Sequence, residues 1–189
     1  MVQRWKKLGK IFNVDEINID WMYSHAMMPV VEKIEKNTYR IYFATRDNQN
    51  RSRCASINLN IDNFQLNNLT DKPIIDLGEL GMFDDSGVMP TCLINNYDIK
   101  YLFYNGWTLG KNVPFFSFNG VALSSNNGRS FNKLGSYPTI LNRNEIDPYS
   151  TFSPFVIIEG EKWKMWYVSL VKWEKKLDLT HYYHIKYAE

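Results

Sequence analysis

The sequence predicts an all-β protein of the β-propeller class, made of four-stranded antiparallel blades, with about two and three-quarter blades in the 189 residues. Three observations predict it. First, one phrase recurs: a proline, an apolar strand, a turn, then an aromatic-rich strand. The copies are Pro29-Val30-Val31 with Tyr39 to Phe43, Pro90-Thr91-Cys92-Leu93 with Lys100 to Tyr104, and Pro154-Phe155-Val156-Ile157 with Trp163 to Tyr167. The prolines are 61 and 64 residues apart. Second, helical periodicity is weak throughout, and the apolar runs are short and β-rich. Third, turn-forming residues fall at the boundaries that the repeat requires.

Taken in order, the first repeat places strands at about 27–34, 38–45, 53–60 and 72–76, and the second at 88–95, 99–106, 119–124 and 137–141. The third places them at 154–159, 162–170 and 183–188 and stops before a fourth strand. The repeats divide one domain, 1–189, at about 20–80, 81–145 and 146–189. Asn37-Thr38, Asn95-Asn96 and Glu159-Gly160-Glu161 supply the first tight turns. Ser125 to Phe131 contains Asn127-Gly128, a pair suited to positive φ in a hairpin, with Phe131 able to pack back on its blade. The Lys172–Lys176 run reads as a solvated loop. An open array of this kind leaves unpaired edges, so the sequence predicts either a truncated propeller or edges covered by self-association or a missing C-terminal segment.

Composition narrows the function classes. A net charge of +2 with dispersed Lys and Arg leaves no footprint for nucleic acid. Arg4, Lys6, Lys7 and Lys10 read as a solvated end. Met1 is followed by polar residues rather than an apolar leader, and no run approaches the ~18 apolar residues of a membrane helix, so a cytoplasmic location is expected. Cys54 and Cys92 sit in strands of different repeats and read as reduced core residues. No cofactor or metal is expected: His25, His181 and His184 lack tight ligand spacing. The aromatic share is 15%, which suits both strands and platforms for stacking sugars.

Trp21 to His25, Arg46 to Ser52, Phe83 to Pro90 and Lys164 to Tyr167 resemble uncharacterised bacterial members of the five-bladed β-propeller glycosidase superfamily, which includes arabinanases, β-xylosidases and invertases. The resemblance implies a partial five-bladed propeller and a central funnel where three carboxylates attack, protonate and orient. By that resemblance, the carboxylates belong just before the three prolines. Here those places are Met28, Met89 and Phe152, so the usual set does not transfer.

Nearby polar residues are the candidates for chemistry. Asp84 and Asp85 are adjacent carboxylates at a strand entrance, where repulsion can raise one pKa; the competing reading is a turn whose Asp side chains bind backbone amides. His25 is a candidate proton carrier or a structural residue, and Asp147 a substitute acid ahead of the third inner strand. Arg46, Asp47, Arg51, Trp107, Ser24 and Ser153 are candidate substrate contacts. Arg suits bidentate oxyanion binding and Trp107 suits stacking, while an Arg–Asp brace within the hairpin is the alternative. The expected function is a glycosidase-like enzyme that hydrolyses or transfers a glycosyl unit in the funnel. The alternatives are a non-catalytic module for a glycan or nucleotide-sugar, or a structural fragment of a longer propeller. The expected partner is a carbohydrate or sugar conjugate, without nucleic acid or membrane.

Overall fold

Each recurrent proline marks a strand that must bend. Proline has no N–H to give a sheet ladder, so it belongs at an edge or a bulge. The computed structural model, which describes residues 4–189, shows this three times. Strand β1 (Ser24–Lys33) shifts register against β2 (Thr38–Arg46) between Met27 and Val30, across Pro29. Strand β5 (Gly87–Asn96) shifts against β6 (Ile99–Leu109) between Pro90 and Cys92. Strand β9 (Ser150–Glu159) shifts against β10 (Lys162–Lys175) in the stretch containing Pro154.

The remaining strands are β3 (Ser52–Asn60), β4 (Leu66–Asn67), β7 (Phe115–Ser124), β8 (Asn132–Lys133) and β11 (Leu179–Ala188). They form three antiparallel units: β1-β2-β3 with β4 beside β3, then β5-β6-β7-β8, then β9-β10-β11. A single parallel pair, Ser52 with Gly87, joins the first two into one eight-stranded sheet. The described residues hold no α-helix, and the sheets do not close on themselves. No helix among them is long and apolar enough to cross a membrane.

Two expectations need correction. Fourth strands were expected over 72–76 and 137–141, but the β pairing of those segments is confined to isolated bridges, Cys54 with Ile75 and Asn119 with Leu141. Regular pairing comes earlier, at β4 and β8. Pro73 and Pro138 interrupt what lies between, since neither can donate to the ladder. The Lys172–Lys176 run is mostly strand, because β10 continues to Lys175 and β11 begins at Leu179. Cross-strand neighbours Trp173 with His181 and Lys172 with Tyr182 sustain the extension. Glu174, 3.1 Å from both Lys172 and Lys176, offsets part of the charge.

Three apolar layers hold the units together. Tyr42 and Cys54 of the first unit meet Val88, Leu102, Tyr104, Phe118 and Ala122 of the second, with Ile74, Ile75 and Phe131 between them. Cys92, Phe103 and Val121 meet Val156, Met165 and Tyr167 of the third. Both cysteines are free and buried, and burial pushes their thiol pKa values up. The outer face of the first unit, with Phe43, Ala55 and Ile57, is covered by the segment carrying Phe12, Val14, Ile17, Ile19 and Trp21. The outer face of the third unit has no such cover among the described residues: Phe155, Trp166, Ile185 and Tyr187 are exposed there.

Candidate functional site

The first strands of the three units lie side by side, β1 against β5 and β5 against β9. Where β5 and β9 begin, a cavity of about 360 Å³ opens. It is lined by Arg46 from the end of β2, Met89 from β5, Trp107 and Leu109 from the end of β6, Pro114, Phe115 and Ser117 from the start of β7, and Phe152 from β9. Ser24 pairs with Arg46, so the start of β1 reaches the same end of the molecule. Met89 and Phe152 are two of the three places where the resemblance implied carboxylates, and here they give the cavity apolar walls. Met28, the third, does not line it; the residue is partly exposed with a left-handed φ of 56°.

Trp107 is held over the cavity by a missing side chain. Its indole Nε1 donates to Ser52 Oγ at 2.9 Å, crossing Gly87. A Cβ on Gly87 would collide with both the indole nitrogen and the Ser52 hydroxyl. Glycine is therefore required on steric grounds, although its φ is not in the left-handed region. Phe115 and Phe152 meet edge-to-face with centroids 5.9 Å apart, and Phe115 also contacts Trp173 at 5.6 Å.

The candidate carboxylates do not gather at this cavity. Asp84 is 1% exposed. It pairs with Lys133 Nζ at 2.6 Å and accepts a hydrogen bond from Tyr104 Oη at 3.2 Å, inside the layer between the first and second units. Asp147 repeats the device one unit later. It is also buried, accepts from Tyr167 Oη at 3.0 Å, and pairs with Lys186 Nζ at 3.0 Å. In both cases the aspartate stands 20 residues before the tyrosine. In the first repeat the equivalent place is the buried, apolar Met22, and Tyr42 Oη donates instead to Glu32 at 2.9 Å. This spacing was readable in the sequence and marks an internal brace, which fits Asp84 and Asp147 better than proton transfer does.

Burial alone would raise the Asp147 pKa. The Ser169 hydroxyl, the Lys186 ammonium and the Tyr167 hydroxyl grouped about it outweigh that and hold it low. The Tyr167 phenol is pushed up to about 12, by burial and then by Asp147. Asp47 is likewise held low: burial opposes this, but Arg53 and Arg51, with the backbone N–H groups of Arg51 and Gln49, prevail. Its partners are Arg51 Nε at 2.9 Å, Arg53 Nη1 at 2.7 Å, and the Gln49 and Arg51 backbone N–H groups, each at 2.9 Å. Asp47 and Arg51 thus brace the β2–β3 hairpin and do not line the cavity.

A folded-state carboxylate pKa below the unfolded value contributes stability that is present above the unfolded value, about 3.9, and lost as pH falls through the folded value. Stability is therefore expected to hold from neutrality to about pH 4 and to fall below it. The slope should approach about 1.4 kcal/mol per pH unit for each proton taken up. Urea melts from pH 2 to 7 check this, and Asp147→Asn should flatten part of the acid limb.

Asp85 differs from its neighbour. It is half-buried and caps the turn before β5, accepting from the Gly81 N–H at 2.9 Å and the Ser86 hydroxyl at 2.8 Å. Burial acts to raise its pKa; Thr108, Gly81 and Ser86 overcome that and keep it low. Thr108 adjoins Trp107, so Asp85 is the candidate acid tied to the segment that carries the cavity's indole. His25 is exposed at a bulge of β1 with φ 66°, its Nδ1 2.8 Å from Ser24 Oγ. Ser24 lines a separate groove along Val14 to Tyr23. Ser153 is exposed with φ 47°, and its N–H donates to Asn105 Oδ1 at 2.7 Å, fastening β9 to the second unit. Among the described residues no group of three His, Cys, Asp or Glu is arranged to hold a metal.

Reading along the sequence missed Phe115, Ser117 and Pro114. The available signal was the paired aromatics Phe115-Phe116 directly after a proline, at the mouth of the hairpin that follows Trp107.

An all-β meander of this kind is the fold of the β-propeller glycosidases. Sucrose-6-phosphate hydrolase from Lactobacillus gasseri superposes with a TM-score of 0.64 at 11% identity, over 87% of this chain and 31% of that one. A family 117 glycoside hydrolase from Zobellia galactanivorans gives 0.59 at 15% identity, over 85% and 52%. A thermostable family-43 glycoside hydrolase gives 0.57 at 13% identity, over 76% and 48%. In sequence, the chain is 37% identical over 187 residues to uncharacterized proteins from two strains of Mycobacterium tuberculosis. The match takes in 98% of this chain but 61% of the relatives' length. No family model matches the chain.

Proposed function

We propose that this chain is a carbohydrate-recognising part of a glycosidase-type, five-bladed propeller, with the cavity beside Trp107 as its sugar site. The observation that carries the reading is the composition of that cavity: aromatic walls from Trp107, Phe115 and Phe152, with Arg46 and Ser117 as its polar groups. Sugar rings present C–H faces that lie well on aromatic rings, while a few polar groups fix orientation. Recognition takes precedence over turnover because no carboxylate is among the residues lining the cavity. Hydrolysis of a glycosidic bond needs an acid and a second carboxylate on either side of it.

A second reading, glycosyl hydrolysis or transfer, is favoured by Asp85, an ionised and half-buried acid at the entrance to β5. On that reading Asp85 acts as base or nucleophile, opposite a second carboxyl group that acts as the acid.

Tryptophan fluorescence and calorimetric titration with a panel of mono- and disaccharides test the first reading. Trp107→Ala is expected to weaken sugar binding by about 5- to 150-fold, the equivalent of the about 1–3 kcal/mol that stacking contributes per base on aromatic platforms. Unchanged affinity in that variant would remove the cavity from consideration. Release of aryl leaving groups from aryl glycosides, lost in Asp85→Asn but kept in Glu161→Gln, would move the second reading ahead.

A further inference from the structure

Arg46 is a cation without an acid. Its hairpin neighbours are both paired: Arg51 and Arg53 each contact Asp47, and Arg53 also reaches Asp76 at 2.7 Å. Arg46 has one side-chain partner, Asn50 Oδ1, 2.8 Å from Nη1. Its Nε is buried with no partner. The guanidinium carries a fixed positive charge. It stands in the wall of a largely apolar cavity, where an unscreened charge interacts more strongly than it would in water.

The rest of the lining completes the pattern. Ser117, 2% exposed, also has a buried hydroxyl with no partner. Every other lining residue is apolar or aromatic. The cavity therefore offers one unneutralised fork of N–H donors, one free hydroxyl and three aromatic walls. A neutral sugar uses the walls and the hydroxyl but leaves the charge unanswered. A sugar bearing an oxyanion answers it, and carboxylate and phosphate oxygens match the guanidinium fork bidentately.

We infer that the cavity selects sugars that carry an anionic group, a uronate carboxylate or a sugar phosphate, with Arg46 as the residue that reads the charge. The inference rests on the sugar site proposed above and names its ligand class. Trp107 and Phe115 hold the ring, and the oxyanion lies toward the Arg46 guanidinium. Asn50 orients the guanidinium through Nη1.

Calorimetric titration of the full chain with matched pairs tests this: glucose against glucuronate, galactose against galacturonate, and glucose and mannose against their 6-phosphates. Inorganic phosphate and acetate serve as sugar-free controls. At least one charged member is expected to bind ten or more times tighter than its neutral partner, and the preference should weaken as salt is raised. Preference for the uronates or for the 6-phosphates alone identifies which oxyanion is read. Arg46→Gln should abolish the preference, so that the charged and neutral members of each pair bind that variant with affinities within about twofold of each other. Arg46→Lys, which keeps the charge and loses the fork, should retain part of it. Thermal melts establish that each variant is folded.

If charged and neutral sugars bind alike, and Arg46→Gln changes neither, the inference is overturned while the sugar site stands. If no sugar of either kind binds, the sugar site itself falls. If phosphate or acetate binds through Arg46 and no sugar does, the site is a plain anion site and both readings fail.

Discussion

Asp84→Asn is expected to destabilise the protein by about 3–5 kcal/mol, the range seen when one partner of a buried ion pair is removed. The side chain keeps its shape, so packing is nearly unchanged. What is lost is the charge facing Lys133 at 2.6 Å, in a layer where Asp84 is 1% exposed and Lys133 is 19% exposed. The lysine is then left half-buried with its neutralising group gone, and Tyr104 keeps only a neutral amide oxygen as its acceptor. Burial, the largest cause of the raised Tyr104 pKa, remains in the variant, so the phenol does not ionise to compensate. For a chain of this size the loss corresponds to a melting temperature lower by roughly 6–20 °C. Circular dichroism melts read it directly. Replacing both partners, Asp84→Leu with Lys133→Met, should recover most of the loss, because it leaves no orphaned charge. A single variant within 1 kcal/mol of the parent would show that the pair is not a brace, and would return Asp84 to the list of candidate acids.

Gly87→Val is expected to damage fold and site together. The added side chain would occupy the space now filled by the Trp107 indole and the Ser52 hydroxyl. Gly87 also pairs with Ser52, the one strand pairing among the described residues that joins the first and second units, so neither backbone can retreat without breaking that contact. Overpacking of this kind costs about 1–3 kcal/mol. The indole must swing away from Ser52, taking one wall of the cavity with it. Sugar affinity should fall about fivefold or more, as for Trp107→Ala. Gly87→Ala separates the two effects: a single methyl should displace the indole while leaving most of the stability. Normal tryptophan fluorescence and normal binding in Gly87→Ala would mean that the indole does not depend on the glycine.

Much of the architecture was legible in the sequence because it is written locally. Pro29, Pro90 and Pro154 mark bulges for the simple reason that proline cannot donate to a ladder, and the aromatic strands after them form β2, β6 and β10 near the expected residues. The same local chemistry, read more closely, would have shown that Pro73 and Pro138 break the fourth strands. The β10–β11 hairpin was harder to see. Its lysines look like a loop along the chain, and only the ion pairs with Glu174 of the same strand and the cross-strand neighbour Tyr182 make them compatible with a strand.

The site was legible in part. Arg46 and Trp107 have the side chains that such chemistry needs, and both line the cavity, as do Met89 and Phe152. Asp47 and Arg51, adjacent to these in sequence, turn instead into the hairpin brace.

The order of strands, the bends within them and the residue types available to bind a sugar are set by short-range rules, of proline, of turn residues and of period-two patterning, and these act within a few positions. Whether a given carboxylate braces or reacts, and whether a given arginine is paired or open, depends on groups brought in from strands far along the chain. Lys133 reaches Asp84 from β8 and Lys186 reaches Asp147 from β11, while among the described residues no acid pairs with Arg46. Electrostatic energy depends on distance in space, so only the folded arrangement could decide which charges are neutralised and which one is left facing the cavity.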